Sequence, residues 1–279
     1  MNHPFGDDTG FAALHDDQGD PGDIGSIDTR SGLAKAMSYS SPYGYRGRIG
    51  LIAPSTNTTM EPEFSLVLPS GVSLHTSRVH QSGGQEPASY RRMADHVGGA
   101  AAHLATAEVD LVTFGCSSCT YFVSPQEIAE SITENAGCPA VLVLDAVIAA
   151  FGAFGAKRIG LVTPRTSFVT EREKAFLMAR GLDVRRSTAL GLGSDEEERR
   201  AIGRIPPNTL YRMAAEVAED VDAVFITCTQ LATLPVIDDL EARLGVPVIS
   251  SNQATIWRCL RRIGVHDKIT GYGSLLTHF

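Results

Sequence analysis

The chain has 279 residues, 43% of them hydrophobic and 20% charged, the balance of a globular protein with enough apolar material for a core. A formal charge of -8 argues against a nucleic-acid surface, and no run approaches the roughly 18 apolar residues that would span a membrane. The start of the chain has no basic n-region followed by an apolar stretch, and the five cysteines show no regular paired spacing, so a cytoplasmic protein with reduced thiols is expected.

Residues 1–45 are acidic, rich in Gly, Asp, Ser and Pro, and read as a flexible extension with at most a helical turn at 34–37. From residue 46 the text alternates between short apolar runs and amphipathic stretches. The runs at 49–53, 111–114, 140–144, 159–163, 223–227 and 246–250 predict strands, and their near-continuous apolar character suits a parallel sheet covered on both faces. Helical spacing marks 90–105, 125–136, 169–180, 208–218 and 252–263. The fold class is therefore α/β.

An internal repeat sets the domain organisation. Arg48-Ile-Gly-Leu-Ile-Ala-Pro54 returns as Arg158-Ile-Gly-Leu-Val-Thr-Pro164, and Asp110-Leu-Val-Thr-Phe-Gly-Cys116 returns as Asp222-Ala-Val-Phe-Ile-Thr-Cys228. Gly137-Cys-Pro-Ala-Val-Leu returns as Gly245-Val-Pro-Val-Ile-Ser. Three collinear matches describe two similar parallel-sheet halves, 46–155 and 156–279, related by a pseudo-two-fold axis.

Ligands of parallel α/β sheets bind beyond the carboxyl ends of the strands, and each half places a cysteine there. Cys116 and Cys228 are therefore expected to face one another across a cleft, as the catalytic pair. Alone, either would read as a small buried hydrophobe; occurrence at equivalent repeat positions, with polar flanks, favours chemistry. Ser117 and Ser118 follow the first, Thr229 and Gln230 the second, at turns whose N–H groups and hydroxyls favour a carboxylate and lower a thiol pKa toward neutrality. Cys138 and Cys259 lack such flanks and are expected in the core.

These motifs resemble the maleate isomerase and arylmalonate decarboxylase branch of the aspartate/glutamate racemase superfamily, over about residues 46–265. Ile52-Ala-Pro-Ser-Thr-Asn-Thr-Thr-Met-Glu-Pro-Glu63 is similar to the first-loop signature of maleate isomerases, which implies that Asn57 contacts a substrate carboxylate. Gly115-Cys-Ser-Ser118, Cys228-Thr-Gln-Leu231 and Gly245-Val-Pro-Val-Ile-Ser-Ser-Asn-Gln253 resemble the segments around and after the two cysteines. The resemblance implies cofactor-free chemistry on a small carboxylate, most directly cis–trans isomerisation of maleate, and a homo-oligomer. Racemisation, epimerisation or decarboxylation of a carboxylate, or a non-catalytic dicarboxylate-binding role, are the alternatives. Two positions depart from the isomerase pattern: Arg165 stands where the family carries Tyr, and Glu198-Arg199 where it carries Asp-Asn. Either arginine is a carboxylate contact in altered form or an exposed surface residue.

Other signals carry less. Cys116-x-x-Cys119 has the spacing of a redox or zinc pair or a bridge, without a second pair or histidines to complete a metal site. His75 and His80 read as structural, and the charge run 196–200 as a solvated helix or loop.

Overall fold

Two four-stranded parallel sheets follow one and the same strand order. The computed structural model describes residues 41–279. In its first sheet β1 (Gly47–Pro54), β2 (Val72–Val79), β3 (Leu111–Phe114) and β4 (Ala140–Leu142) lie as β2-β1-β3-β4. In the second, β5 (Arg158–Arg165), β6 (Asp183–Leu192), β7 (Ala223–Ile226) and β8 (Val248–Ser250) lie as β6-β5-β7-β8. The repeat in the sequence is thus a repeat in topology. Most of the expected extension, including the turn at 34–37, lies outside the described residues.

Parallel neighbours require crossovers, and helices supply them. The first sheet has α1 (Met60–Val67), α2 (Pro87–Ala94), α3 (Val97–Ala105), a 3₁₀ turn (Ser118–Tyr121), α4 (Pro125–Ala136) and α5 (Val143–Phe154). The second has α6 (Ser167–Met178), α7 (Glu196–Ile202), α8 (Pro207–Val217), α9 (Leu234–Leu244), α10 (Ser251–Arg262) and α11 (Ser274–His278). Among the described residues no helix is long and apolar enough to cross a membrane. We propose the division between halves at residues 155–156, where α5 ends on Gly155 in the left-handed region (φ 64°).

Several elements differ from expectation for identifiable reasons. Strands β2 and β6 were not predicted: both are sheet edges, largely exposed or half-buried, and their polar residues hide any apolar run. The expected strand 140–144 stops at Leu142 and continues as α5, inside an apolar stretch that carries no periodic distinction between strand and helix. The expected helix 90–105 is two helices interrupted at Asp95 and His96. Helix α9, opened by a proline in its first turn, was missed.

One core ties the halves together. Ile49, Leu51 and Leu111 of the first sheet, Val147 and Phe151 of α5, and Ile159, Leu161 and Phe225 of the second sheet belong to a single buried cluster. Phe151 meets Phe225 edge to face, with ring centroids 5.8 Å apart and planes at 84°. A second cluster, with Phe114, Met93 and Leu104, fills the far side of the first sheet. Gly160 permits close packing of α8 on β5, since a Cβ there would overlap the Val217 carbonyl oxygen.

Candidate active site

Strands β3 and β7 deliver the two cysteines to one place. Cys116 lies two residues past the end of β3 and Cys228 two past the end of β7; both are buried and both line a cavity with about 380 Å³ of empty volume. Gly115 is needed at the first turn, because a side chain there would run into the Met60 sulfur. Cys228 has φ of 102°, a strained backbone for a non-glycine residue, held by a Ser251 hydroxyl that accepts its N–H at 3.1 Å.

All the sequence-derived candidates border this cavity. Asn57 is buried; its Oδ1 accepts the Thr59 and Met60 N–H groups at 2.9 and 3.0 Å, and its Nδ2 donates to the Thr229 hydroxyl at 3.2 Å. Thr229 in turn donates to the Gly115 carbonyl at 2.8 Å, and Gln230 to the Thr56 carbonyl at 3.3 Å. Residues following the second cysteine are thus fastened to the first half.

The converse holds on the other side. Arg165, at the end of β5, donates from Nε to the Ser118 hydroxyl at 2.6 Å and from Nη2 to the Ser117 hydroxyl at 2.8 Å. Its Nη1 meets Glu173 at 3.3 Å and the Thr227 hydroxyl at 3.0 Å. Arg165 is 2% exposed and Glu173 0%, so the surface reading of this arginine is corrected. Burial is the largest single effect and opposes the guanidinium charge; Glu173, Cys228, Tyr121 and Tyr90 together outweigh it and hold the pKa above the ordinary value.

Arg199 is also buried, at 3% exposure, which corrects its surface reading, whereas the other four residues of the 196–200 run are exposed or half-buried on the helix as expected. It projects from α7 to the Ser82 and Gln81 carbonyls, both at 3.2 Å, while its Nε has no hydrogen-bond partner among the described residues. Burial holds its pKa below the ordinary value. The same loops meet again where Gln85 N–H donates to the Gly193 carbonyl at 2.9 Å, and a Cβ on Gly84 would overlap the Ser194 carbonyl oxygen. Gln81, Gln85 and Tyr90, none of them singled out in the sequence, complete this wall. Tyr90 stacks on Phe122 at 4.8 Å, and burial pushes its phenol up, so it remains a neutral donor.

The wall contains no Asp or Glu, two arginines and many donors, a composition suited to an anion. The thiols depart from expectation. Burial pushes Cys116 up to about 11, against smaller opposing effects from the N–H groups of Cys119 and Ser118 and from Arg165. Cys228 is raised for the same first reason, and Arg165 again opposes it. Near neutral pH both thiols are therefore in the neutral form, because desolvation outweighs the turn dipoles. All five cysteines are free; Cys259 is fully buried, whereas Cys138, expected in the core, is half-exposed at the turn before β4. Among the described residues no cluster of three His, Cys, Asp or Glu is placed to hold a metal. His75 and His80 do not border the cavity.

A sequence profile described as arylmalonate decarboxylase matches residues 49–276. The chain belongs to the arylmalonate decarboxylase family. Relatives of this arylmalonate decarboxylase family member include a maleate isomerase from Geobacillus stearothermophilus, 27% identical over 248 residues that span 82% of this chain and 97% of that protein. An arylmalonate decarboxylase from Bordetella bronchiseptica is 35% identical over 149 residues, 52% of this chain and 60% of that one. Among solved structures, a cysteine-to-alanine variant of the maleate isomerase from Pseudomonas putida S16, with maleate, has 28% identity and a TM-score of 0.75, covering 83% and 97% of the two chains. A liganded double mutant of arylmalonate decarboxylase has 27% identity and a TM-score of 0.73, covering 82% and 98%.

What sequence reading missed in this family member is the buried support. Glu173, Tyr121 and Thr227 form a network in which Tyr121 and Thr227 donate to Glu173 at 2.7 and 2.5 Å. The signal was present in the repeat, since Glu173 lies 110 residues after Glu63, the same spacing as between Arg48 and Arg158 in the preceding strand motif.

Proposed function

We propose that this protein is a cofactor-independent cis–trans isomerase of a small dicarboxylate, maleate or a close relative, with Cys116 as nucleophile and Cys228 as proton donor. The observation that carries the reading is the meeting of both cysteines in one small, carboxylate-free cavity lined by donors. Similarity to maleate isomerases along four fifths of the chain supports it. Pro54, Ile202 and the Tyr90 ring are the apolar liners, and the other eleven lining residues are polar, charged or cysteine, which suits a substrate rich in carboxylates.

In the ionised form of Cys116 the sulfur adds to one alkene carbon, forming a C–S bond as the π bond breaks. Cys228 gives its proton to the adjacent carbon and becomes the thiolate. Rotation about the resulting single bond brings the carboxylates apart. Cys228 then retakes a proton as the C–S bond breaks, releasing the trans alkene and the Cys116 thiolate. Covalent addition replaces rotation about a double bond with rotation about a single one. One carboxylate is held by Asn57, Ser117 and Ser118, the other by Gln230 and the Nε of Arg199, with Thr229, whose hydroxyl proton goes to the Gly115 carbonyl, orienting the Asn57 amide.

A cytoplasmic setting fits the five free thiols. Assembly as a homo-oligomer is part of the same proposal, supported by the long exposed edge strand β6.

The test is proton NMR of the purified protein with maleate in D2O, beside a panel of chiral carboxylates and an arylmalonate. Fumarate signals that vanish in Cys116→Ala support the isomerase. Deuterium entering an α-carbon with maleate untouched would replace it with a racemase.

A further inference from the structure

We propose that Arg165 is a positioning residue rather than a substrate ligand: it ties together the turns that carry Cys116 and Cys228 and fixes the Ser117 and Ser118 hydroxyls as donors toward the cavity. The inference rests on the cavity being the active site of a two-thiol enzyme.

The first support is connectivity. Ser117 directly follows Cys116, and Thr227 directly precedes Cys228. Arg165 bonds both, at 2.8 and 3.0 Å, and adds Ser118 at 2.6 Å and Glu173 at 3.3 Å. At least four of its five N–H groups are committed to protein before any ligand arrives. Tyr121, from the turn after Cys116, also donates to Glu173, so the counter-ion belongs to the same bridge. A guanidinium contact with substrate would have to break a bridge that is almost wholly buried, at several kcal/mol for a separated buried pair.

The second support is the direction of the hydroxyl protons. A guanidinium has donors and no acceptor, so each hydroxyl bonded to it must accept there and send its own proton elsewhere. Thr227 sends its proton to Glu173 at 2.5 Å. Ser117 borders the cavity, so its proton is offered to the occupant; Ser118 also borders it, with the Tyr90 oxygen as a second acceptor for its proton. A neutral residue at 165 would leave both hydroxyls free to turn and accept. The arginine therefore acts through the serines, and its charge opposes the effect of burial on both thiols.

Two variants test this. Arg165→Met combined with Glu173→Gln removes the pair without leaving a lone buried charge, and Arg165→Lys keeps a charge but lacks the fork. Alkylation of Cys116 and Cys228 by iodoacetamide across pH, followed by mass spectrometry, needs no turnover and so stands apart from the maleate reading. In the double variant the midpoints of both thiols should rise by about one pH unit, a tenfold loss of thiolate at fixed pH. Arg165→Lys should restore the midpoints yet keep a kcat lowered about 100-fold, with KM changed less than threefold. Unmoved midpoints, or a KM raised tenfold with kcat retained in Arg165→Lys, would overturn the proposal in favour of a ligand contact. If the double variant does not fold, Arg165→Lys decides through a cycle with Ser117→Ala: non-additive losses in kcat support action through the serine, and additive ones refute it.

Discussion

Glu63 and Glu173 stand 110 residues apart at equivalent places in the two halves, and each reaches into the opposite half. Glu63, on α1, accepts the Thr233 and Leu234 N–H groups at 2.6 and 2.9 Å, where α9 begins, and the Asn252 amide at 2.5 Å. Glu173, on α6, accepts the Tyr121 hydroxyl at 2.7 Å beside the turn that carries Cys116. Tyr121 and Thr233 are separated by 112 residues, as are Cys116 and Cys228. The two carboxylates are thus symmetry partners that brace opposite cysteine turns. The symmetry is broken by Arg165, which occupies the position of Ser55 in the repeat and gives Glu173 alone a counter-ion.

Replacing Glu63 by Ala strands two buried N–H groups at the start of α9. Each unsatisfied donor costs about 1–3 kcal/mol, so a loss on the order of 2–4 kcal/mol is expected in urea unfolding. Glu63→Gln, which retains an acceptor, should lose less. An unchanged midpoint in Glu63→Ala would mean that water or another side chain takes over the cap.

Cys116→Ser and Cys228→Ser should each lower turnover on the order of 10³-fold or more, with circular dichroism and melting unchanged. The two roles separate in the intermediate: Cys228→Ser should still alkylate at Cys116, whereas Cys116→Ser should form no adduct with substrate by intact mass. Near-normal turnover in either variant would remove that thiol from the mechanism.

Arg199→Gln removes the buried cation whose Nε lacks a partner among the described residues. Loss of one charge-assisted contact, about 1.5–3 kcal/mol, corresponds to a KM raised roughly ten- to hundredfold. Steady-state kinetics with the preferred dicarboxylate checks this. A lowered kcat at unchanged KM would instead assign Arg199 to the loop contact with Gln81 and Ser82 alone.

The buried thiols make stability fall in alkali. Cys116 is pushed up to about 11 and Cys259 to about 12, both by burial, against about 8.5 in the unfolded chain. Their stabilising contribution is fully present below pH 8.5 and is lost as pH rises through 11 and 12, at roughly 1.4 kcal/mol per pH unit and thiol. The phenols of Tyr90 and Tyr121, also raised by burial, act with the same sign. Urea midpoints between pH 7 and 11 should therefore decline, and less steeply in Cys259→Ala. A flat profile would show that the thiols ionise without penalty.

By itself the sequence determined the α/β class, the twofold repeat and the two cysteines with the polar residues beside them that border the cavity, but not Gln81, Gln85 or Tyr90. Buried parallel strands need continuous apolar runs, and a duplicated motif places its strand-end cysteines at equivalent points whatever the details of packing. The edge strands β2 and β6 stayed hidden because half-exposed residues obey no such constraint. Tertiary structure alone decided that Arg165 and Arg199, which read equally well as surface residues, are buried, and that Glu173 neutralises the first while no hydrogen-bonded carboxylate meets the second. It also decided that both thiols are neutral at rest. Burial and the polar contacts that accompany it depend on which groups come together in space: Arg165 meets Ser118 and Ser117 from 47 and 48 positions away, Arg199 meets Ser82 and Gln81 from 117 and 118, and local pattern carries no record of such meetings.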